Sequence, residues 1–258
     1  MKLGIMGAMP EEIARFEREM TLERTERHGM REYHIGRLCG HEVVVVFSRI
    51  GKVAAASTAT TLLERFGVEG IIFTGVAGGV DPQLNVGDVV VADALVQHDM
   101  DASRLPWFAR FEIPLLGVTR FPVETFWVDA ARMAAETYLK TRFSAEVAAA
   151  DCRALGIECP KAVVGMVASG DQFLADAEAG EALRTVLPDL SCVEMEGAAV
   201  AQVAHEHGIP CVVIRSISDK ANHDAATDFS AYVSKIATPM SYGIVVNLLQ
   251  ALRWPLIP

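Results

Sequence analysis

Short apolar runs recur along the chain at Lys2–Ala8, Glu42–Ile50, Gly70–Ala77, Asp88–Val96, Ala162–Ser169, Ser191–Met195 and Cys211–Ile217. Each is rich in β-branched residues and ends in small or acidic ones. Val43–Val46 is four consecutive valines with no polar alternation. Both faces of such a strand must be buried, as in a sheet covered by helices. Helical spacing fills the intervals. Gly51–Phe66 carries Val53, Ala56, Leu63 and Phe66 at that period, and Val123–Arg142, Asp176–Leu187 and Gly197–His207 read alike. Gly208 and Pro210 close the last of these. Glu11 and Glu12 follow Pro10, the chemistry of a helix start. Tyr242–Leu252 reads as an amphipathic packing helix, too short for a bilayer and interrupted by Asn247 and Gln250. Strand and helix in alternation predict an α/β fold: a central mixed, twisted β-sheet flanked by helices. No linker, composition shift or repeat divides the chain, so one domain over 1–258 is expected.

The stretch Met100–Pro122 departs from this pattern, with three prolines, many aromatics and no period. Two readings stay open: a long packed loop, or a loop that covers a pocket or a partner subunit.

Composition narrows the partners. The 258 residues are 51% apolar and 22% charged, which is a folding composition. Lys and Arg number 23 against 33 Asp and Glu, a net charge of −10. A nucleic-acid binder would need a basic stripe, and a membrane-surface protein a polybasic one, so neither partner is expected. Five cysteines without a CxxC pair indicate a reduced, cytoplasmic protein. The N-terminus turns acidic after nine residues, which does not suit a signal peptide, and no membrane segment is expected.

Several motifs fail on inspection. Gly51–Lys52 suggests a phosphate loop, but Val53 stands in place of Ser or Thr and Val46 in place of the first Gly. GIMGAM is not a dinucleotide fingerprint, and no GxSxG is present. His98–Asp99–Met100–Asp101 and His223–Asp224 lack metal-ligand spacing and read as polar loop residues; no metal is expected.

Acids and glycines at strand ends remain, where open α/β sheets bind ligands. Gly75–Gly79 either presents backbone N–H groups to a ligand or makes a tight turn. Glu194 and Glu196 sit in an apolar strand-to-helix junction, either as ligands of a polar group such as a sugar diol or as helix-start carboxylates. Asp219 ends an apolar strand, and Glu12 follows the first.

In order, GIMGAMPEE, SRIGKVAAAS, TGVAGGVDPQLNVGDVVVAD, SGDQF, VEMEGAAVA and RSISDKA resemble the 5′-methylthioadenosine/S-adenosylhomocysteine nucleosidases of the nucleoside phosphorylase superfamily. The resemblance runs from Met1 to about Ala221 and weakly on to Phe229. It implies a nucleoside phosphorylase-like fold and hydrolysis of the N-glycosidic bond, with adenine released. Asp219 then matches the acid that protonates adenine N-7, beside Ser218, and Glu12 the base that positions and deprotonates water. Glu196 matches the ligand of the ribose hydroxyls, with Met195 beside the sugar. Gly78 and Leu174 match positions lining the nucleoside site, and Phe173 one that stacks on the base. Met9, Ile50 and Phe229 match the apolar pocket for the 5′-alkylthio group. The resemblance further implies no cofactor and a homodimer in which Met100–Pro114 lies near the partner's site.

Two departures matter. Arg49 stands where the family usually has Gly, and Val76 where many members have Ser. Arg49 is expected to point away from the site; directed inward, it would favour phosphate over water as nucleophile. Three other readings therefore stay open: a nucleosidase for another 5′-modified adenosine such as aminodeoxyfutalosine, a phosphate-dependent purine nucleoside phosphorylase, and a non-catalytic nucleoside-binding module.

Overall fold

The valine-rich runs pair with one another. A computed structural model describes residues 1–222 and 225–252, apart from the Thr227 side chain. Its strands are β1 (Lys2–Gly7), β2 (Thr21–His28), β3 (Arg31–Leu38), β4 (His41–Phe47) and β5 (Gly70–Gly79). They continue with β6 (Val89–Gln97), β7 (Phe121–Pro122), β8 (Ala162–Ser169), β9 (Leu190–Glu194) and β10 (Cys211–Asp219). Helices are α1 (Pro10–Glu19), α2 (Lys52–Glu64), α3 (Thr125–Thr141), α4 (Phe143–Glu146) and α5 (Ala149–Ala154). After them come α6 (Ala177–Val186), α7 (Gly197–Glu206), α8 (Ala225–Tyr232), a π-helical turn at Val233–Ala237, and α9 (Thr238–Ala251).

All ten strands join one mixed sheet. β1 runs parallel to β4 and β5, and β10 parallel to β5. β6 is antiparallel to β10, and β9 to β5. Because β9 returns to β5, the strands β5, β10, β6, β8 and β9 close a ring. The valine run shows why the sheet has two covered faces. Val43 and Val45 enter a core with residues of α1, α3 and α9, while Val44 and Val46 enter another with residues of α2 and α7.

Two features of β5 and β10 create the site. β1 accompanies β5 only to Phe73, and β9 joins the same sheet at Gly78. Between those points the N–H of Val76 donates to a side chain, Glu12 Oε1, at 3.1 Å. On β10 the register slips between Ile217 and Asp219, a bulge that re-aims the strand's last residues.

The expected strands and helices are present within a few residues. One pair of strands is a correction: β2 and β3 form a hairpin that the apolar pattern does not indicate. Thr21–His28 is an edge strand, mostly exposed, so no apolar periodicity marks it. The last helix is also longer than Tyr242–Leu252, starting at Thr238 with Pro239 in its first turn. Met100–Pro122 fits the packed-loop reading in part. Phe111 and Ile113 are buried, and two isolated bridges tie the loop together, whereas Trp107 and Leu115 are 68% and 96% exposed. No helix among the described residues is long and apolar enough to cross a membrane.

Candidate active site

A cleft opens where β1, β5, β9 and β10 end. All eleven residues singled out from the sequence line it: Glu12 and Asp219; Gly78, Ser218, Met195 and Glu196; Phe173 and Leu174; Met9, Ile50 and Phe229. Phe173 and Phe229 touch edge to face, with ring centroids 5.5 Å apart. Gln172, from the loop after β8, joins them and was not anticipated.

Glu12 owes its position to the helix start. It is the third residue of α1, so its carboxylate turns back toward the N-terminus. Oε2 accepts from the N–H groups of Ala8 at 2.5 Å and Met9 at 3.0 Å, and Oε1 accepts from Val76. Burial raises its pKa above the ordinary carboxylate value, against the opposing pull of Arg215 and these three N–H groups. Space for it comes from glycines. A Cβ on Gly75 would lie 2.7 Å from Glu12 Oε1, and one on Gly7 would lie 2.9 Å from Glu12 Cβ.

Arg215 lies behind this carboxylate and is buried. Its guanidinium donates to Glu194 Oε2, at 2.6 Å from Nη2 and 3.2 Å from Nε, and lies 4.1 Å from the Phe73 ring centroid. Glu194 also accepts from the N–H of Glu196 and of Gly197, and from the Ser169 hydroxyl. Of the two junction acids, Glu194 is therefore bound up in the protein. The Glu196 carboxyl accepts one hydrogen bond among the described residues, from Gly51 N–H at 2.8 Å. Burial, with the charges of Glu194 and Glu12 added, pushes its pKa up to about 8 despite Arg215. Three carboxyl groups thus surround a single cation.

Asp219 stands apart from that cluster. Oδ2 accepts from the Ser218 hydroxyl at 2.7 Å and Oδ1 from Ala221 N–H at 2.9 Å. Burial raises its pKa, and Asp228 adds to the rise. A Cβ on Gly78 would lie 3.0 Å from Asp219 Oδ1. Gly75 and Gly78 are three residues apart on one strand, so Glu12 and Asp219 meet β5 at points separated by roughly 10 Å.

Arg49 does not line the cleft. Its guanidinium donates to Met30 O at 2.8 Å, over the β2–β3 turn. Its φ of +71° lies in the left-handed region that favours glycine, so the departure from Gly is a matter of backbone strain. Four acids and no basic side chain line the cleft among the described residues. Among those residues no three His, Cys, Asp or Glu side chains form a group that could hold a metal, and His223–Asp224 lies outside them.

Sequence reasoning missed Arg215 and the support role of Glu194. The signal for Arg215 was available: an arginine inside the apolar strand CVVIRSI must be paired to be buried.

Residues 2–250 match the phosphorylase superfamily. A 5′-methylthioadenosine/S-adenosylhomocysteine nucleosidase from Shewanella denitrificans is 35% identical over 252 residues, covering 98% of this chain and all of the relative. The solved structure of such a nucleosidase from Colwellia psychrerythraea, in complex with adenine, superposes with a TM-score of 0.84 at 34% identity, over 96% of this chain and 94% of that one. Futalosine hydrolase from Helicobacter pylori superposes with a TM-score of 0.79 at 32% identity, over 95% and 96% of the two chains. By fold, by near-complete coverage and by sequence, this chain belongs to the 5′-methylthioadenosine/S-adenosylhomocysteine nucleosidase family of the phosphorylase superfamily.

Proposed function

We propose that the protein is an N-glycosyl hydrolase that cleaves 5′-methylthioadenosine, S-adenosylhomocysteine or both, releasing adenine and the 5′-thio-ribose product. Cleavage of this bond develops positive charge on the sugar. A cavity walled by carboxylates binds that charge more tightly in the transition state than in the neutral substrate, which lowers the barrier. In this reading Asp219, with its raised pKa, holds the proton that passes to N-7 of the departing adenine. Glu12 is held by three N–H donors and a nearby guanidinium, which support its anion, and it takes a proton from the attacking water. Glu196 accepts from the ribose hydroxyls, and Met9, Ile50 and Phe229 surround the alkylthio group.

The absence of basic side chains from the cleft lining, among the described residues, carries the choice of nucleophile. A phosphate dianion entering beside the Glu12 carboxylate would meet repulsion with no basic side chain among the described lining residues to receive it, whereas water meets none. The test is adenine release from 5′-methylthioadenosine in phosphate-free buffer. Release without phosphate supports hydrolysis. Release only on adding phosphate, with 5-methylthioribose 1-phosphate formed, would establish phosphorolysis instead.

The reading extends to assembly and setting. Trp107 and Leu115, with Leu105, are exposed apolar residues of the loop after β6, which supports a homodimer with this loop against the partner's site. Elution in gel filtration at the 27.9 kDa of one chain would contradict it. Cys152, Cys159, Cys192 and Cys211 carry free thiols, in keeping with a cytoplasmic enzyme serving methionine salvage.

A further inference from the structure

Two motifs that the reaction leaves unused, Gly51–Lys52 and His98–Asp99, meet at the rim of the cleft. Gly51 N–H donates to Glu196 Oε1 at 2.8 Å, and the next N–H, that of Lys52, donates to Asp171 Oδ1 at 2.9 Å. Lys52 Nζ reaches Asp99 Oδ1 at 2.5 Å and Gln97 Oε1 at 3.2 Å. The other oxygen of Asp99 accepts from Asp171 N–H at 2.9 Å. Lys52, Asp99 and Asp171 therefore close a ring of hydrogen bonds that ties the start of α2 to the segments after β6 and β8.

The ring is sheltered and sterically exacting. The Lys52 side chain is 15% exposed and that of Asp99 30%, so solvent screens the pair less than an open surface bridge. Burial alone would raise the Asp99 pKa, but Lys52 and the Asp171 N–H hold it below the ordinary value. Gly51 has a φ of +99°, and a Cβ there would lie 3.3 Å from Asp171 Oδ1. Only a glycine passes this point without strain while offering its N–H to Glu196.

We propose that Lys52 is a positioning residue: by closing this ring it fixes Gly51 N–H against Glu196, and so aims that carboxyl at the ribose hydroxyls. The same ring anchors Asp171, directly before Gln172–Leu174 of the cleft wall. The inference rests on the nucleoside-cleaving reading above, and it makes a lysine outside the cavity a determinant of sugar recognition.

The test compares Lys52→Met and Lys52→Arg with the wild type, on 5′-methylthioadenosine and on its 2′-deoxy analogue. Lys52→Met is expected to lower kcat/KM on 5′-methylthioadenosine about tenfold, but by less than about threefold on the analogue, which lacks a hydroxyl for Glu196 to hold. Lys52→Arg, which keeps the charge, restores most of the loss. Equal losses on both substrates, or no loss on 5′-methylthioadenosine, would overturn the proposal, since a merely structural lysine does not distinguish the two sugars. If Lys52→Met does not fold, Asp99→Asn carries the same comparison. A wild type that releases no adenine contradicts the proposed function itself; an active wild type with equal losses contradicts only the role of Lys52.

Discussion

Glu12 and Asp219 are both 2% exposed, and burial raises the pKa of each, yet their surroundings differ in kind. Around Glu12 the protein gathers three backbone N–H donors and a buried guanidinium, all of which favour the anion. Among the described residues Asp219 has one hydroxyl and one N–H, and its charged neighbour is another acid, Asp228. Three N–H groups and a guanidinium oppose burial at Glu12, whereas at Asp219 one hydroxyl and one N–H oppose it and a neighbouring acid adds to the rise. In the proposed reaction two carboxyl groups are thereby assigned as base and acid without a metal or cofactor in the argument.

The comparison can be broken by mutation, most severely at the acid. Asp219→Asn removes the proton donor and is expected to lower kcat on 5′-methylthioadenosine about 10⁴-fold, whereas Glu12→Gln costs about 10³-fold because bound water keeps some reactivity; steady-state kinetics measures both. Parity between the two, or losses below tenfold, would dissolve the distinction. Arg215→Met attacks the support of the base. It leaves Glu194 buried without its cation, and chemical denaturation should record a loss of about 3 kcal/mol.

A smaller effect concerns the crowding of carboxyls around Arg215. Glu196 is raised to about 8 in the folded protein, above its ordinary value of 4.5. A raised pKa means that its contribution to stability is complete below the unfolded value and lost as pH rises through the folded one. Stability should therefore fall by about 2–3 kcal/mol from pH 6 to 9, and Glu196→Gln should flatten that slope. Denaturation midpoints across this range check it; parallel slopes would show that Glu196 does not carry the proton. The mildest change is Gly75→Ala, whose methyl would lie 2.7 Å from Glu12 Oε1. Displacing the base by a few tenths of an ångström should lower kcat/KM about tenfold while Asp219 keeps its place.

Much of this is legible in the sequence. Runs such as Val43–Val46 announce strands buried on both faces, because nothing else accommodates them. Acids at the ends of such strands mark a cavity, because burial without a ligand or donors is costly. What could not be read depends on contacts between distant residues. Gly75 makes room for Glu12, 63 positions away, and nothing in GVAGG names that neighbour. By residue type alone Glu194 and Glu196 look interchangeable in VEMEG; the family resemblance picks Glu196, and the positions of Arg215 and Ser169 give the physical reason, one carboxylate held and the other with a single donor among the described residues. The hairpin β2–β3 was hidden because an edge strand with charges on both faces has no apolar period.

The division of labour between the two carboxyls is tested most directly by a leaving group that needs no proton. On 4-nitrophenyl 5-methylthio-β-D-ribofuranoside, Asp219→Asn should retain kcat/KM within about tenfold of the wild type, against its loss of about 10⁴-fold on 5′-methylthioadenosine. Glu12→Gln should be impaired on both substrates. If Asp219→Asn is as damaged on the nitrophenyl riboside as on the nucleoside, Asp219 is not the acid.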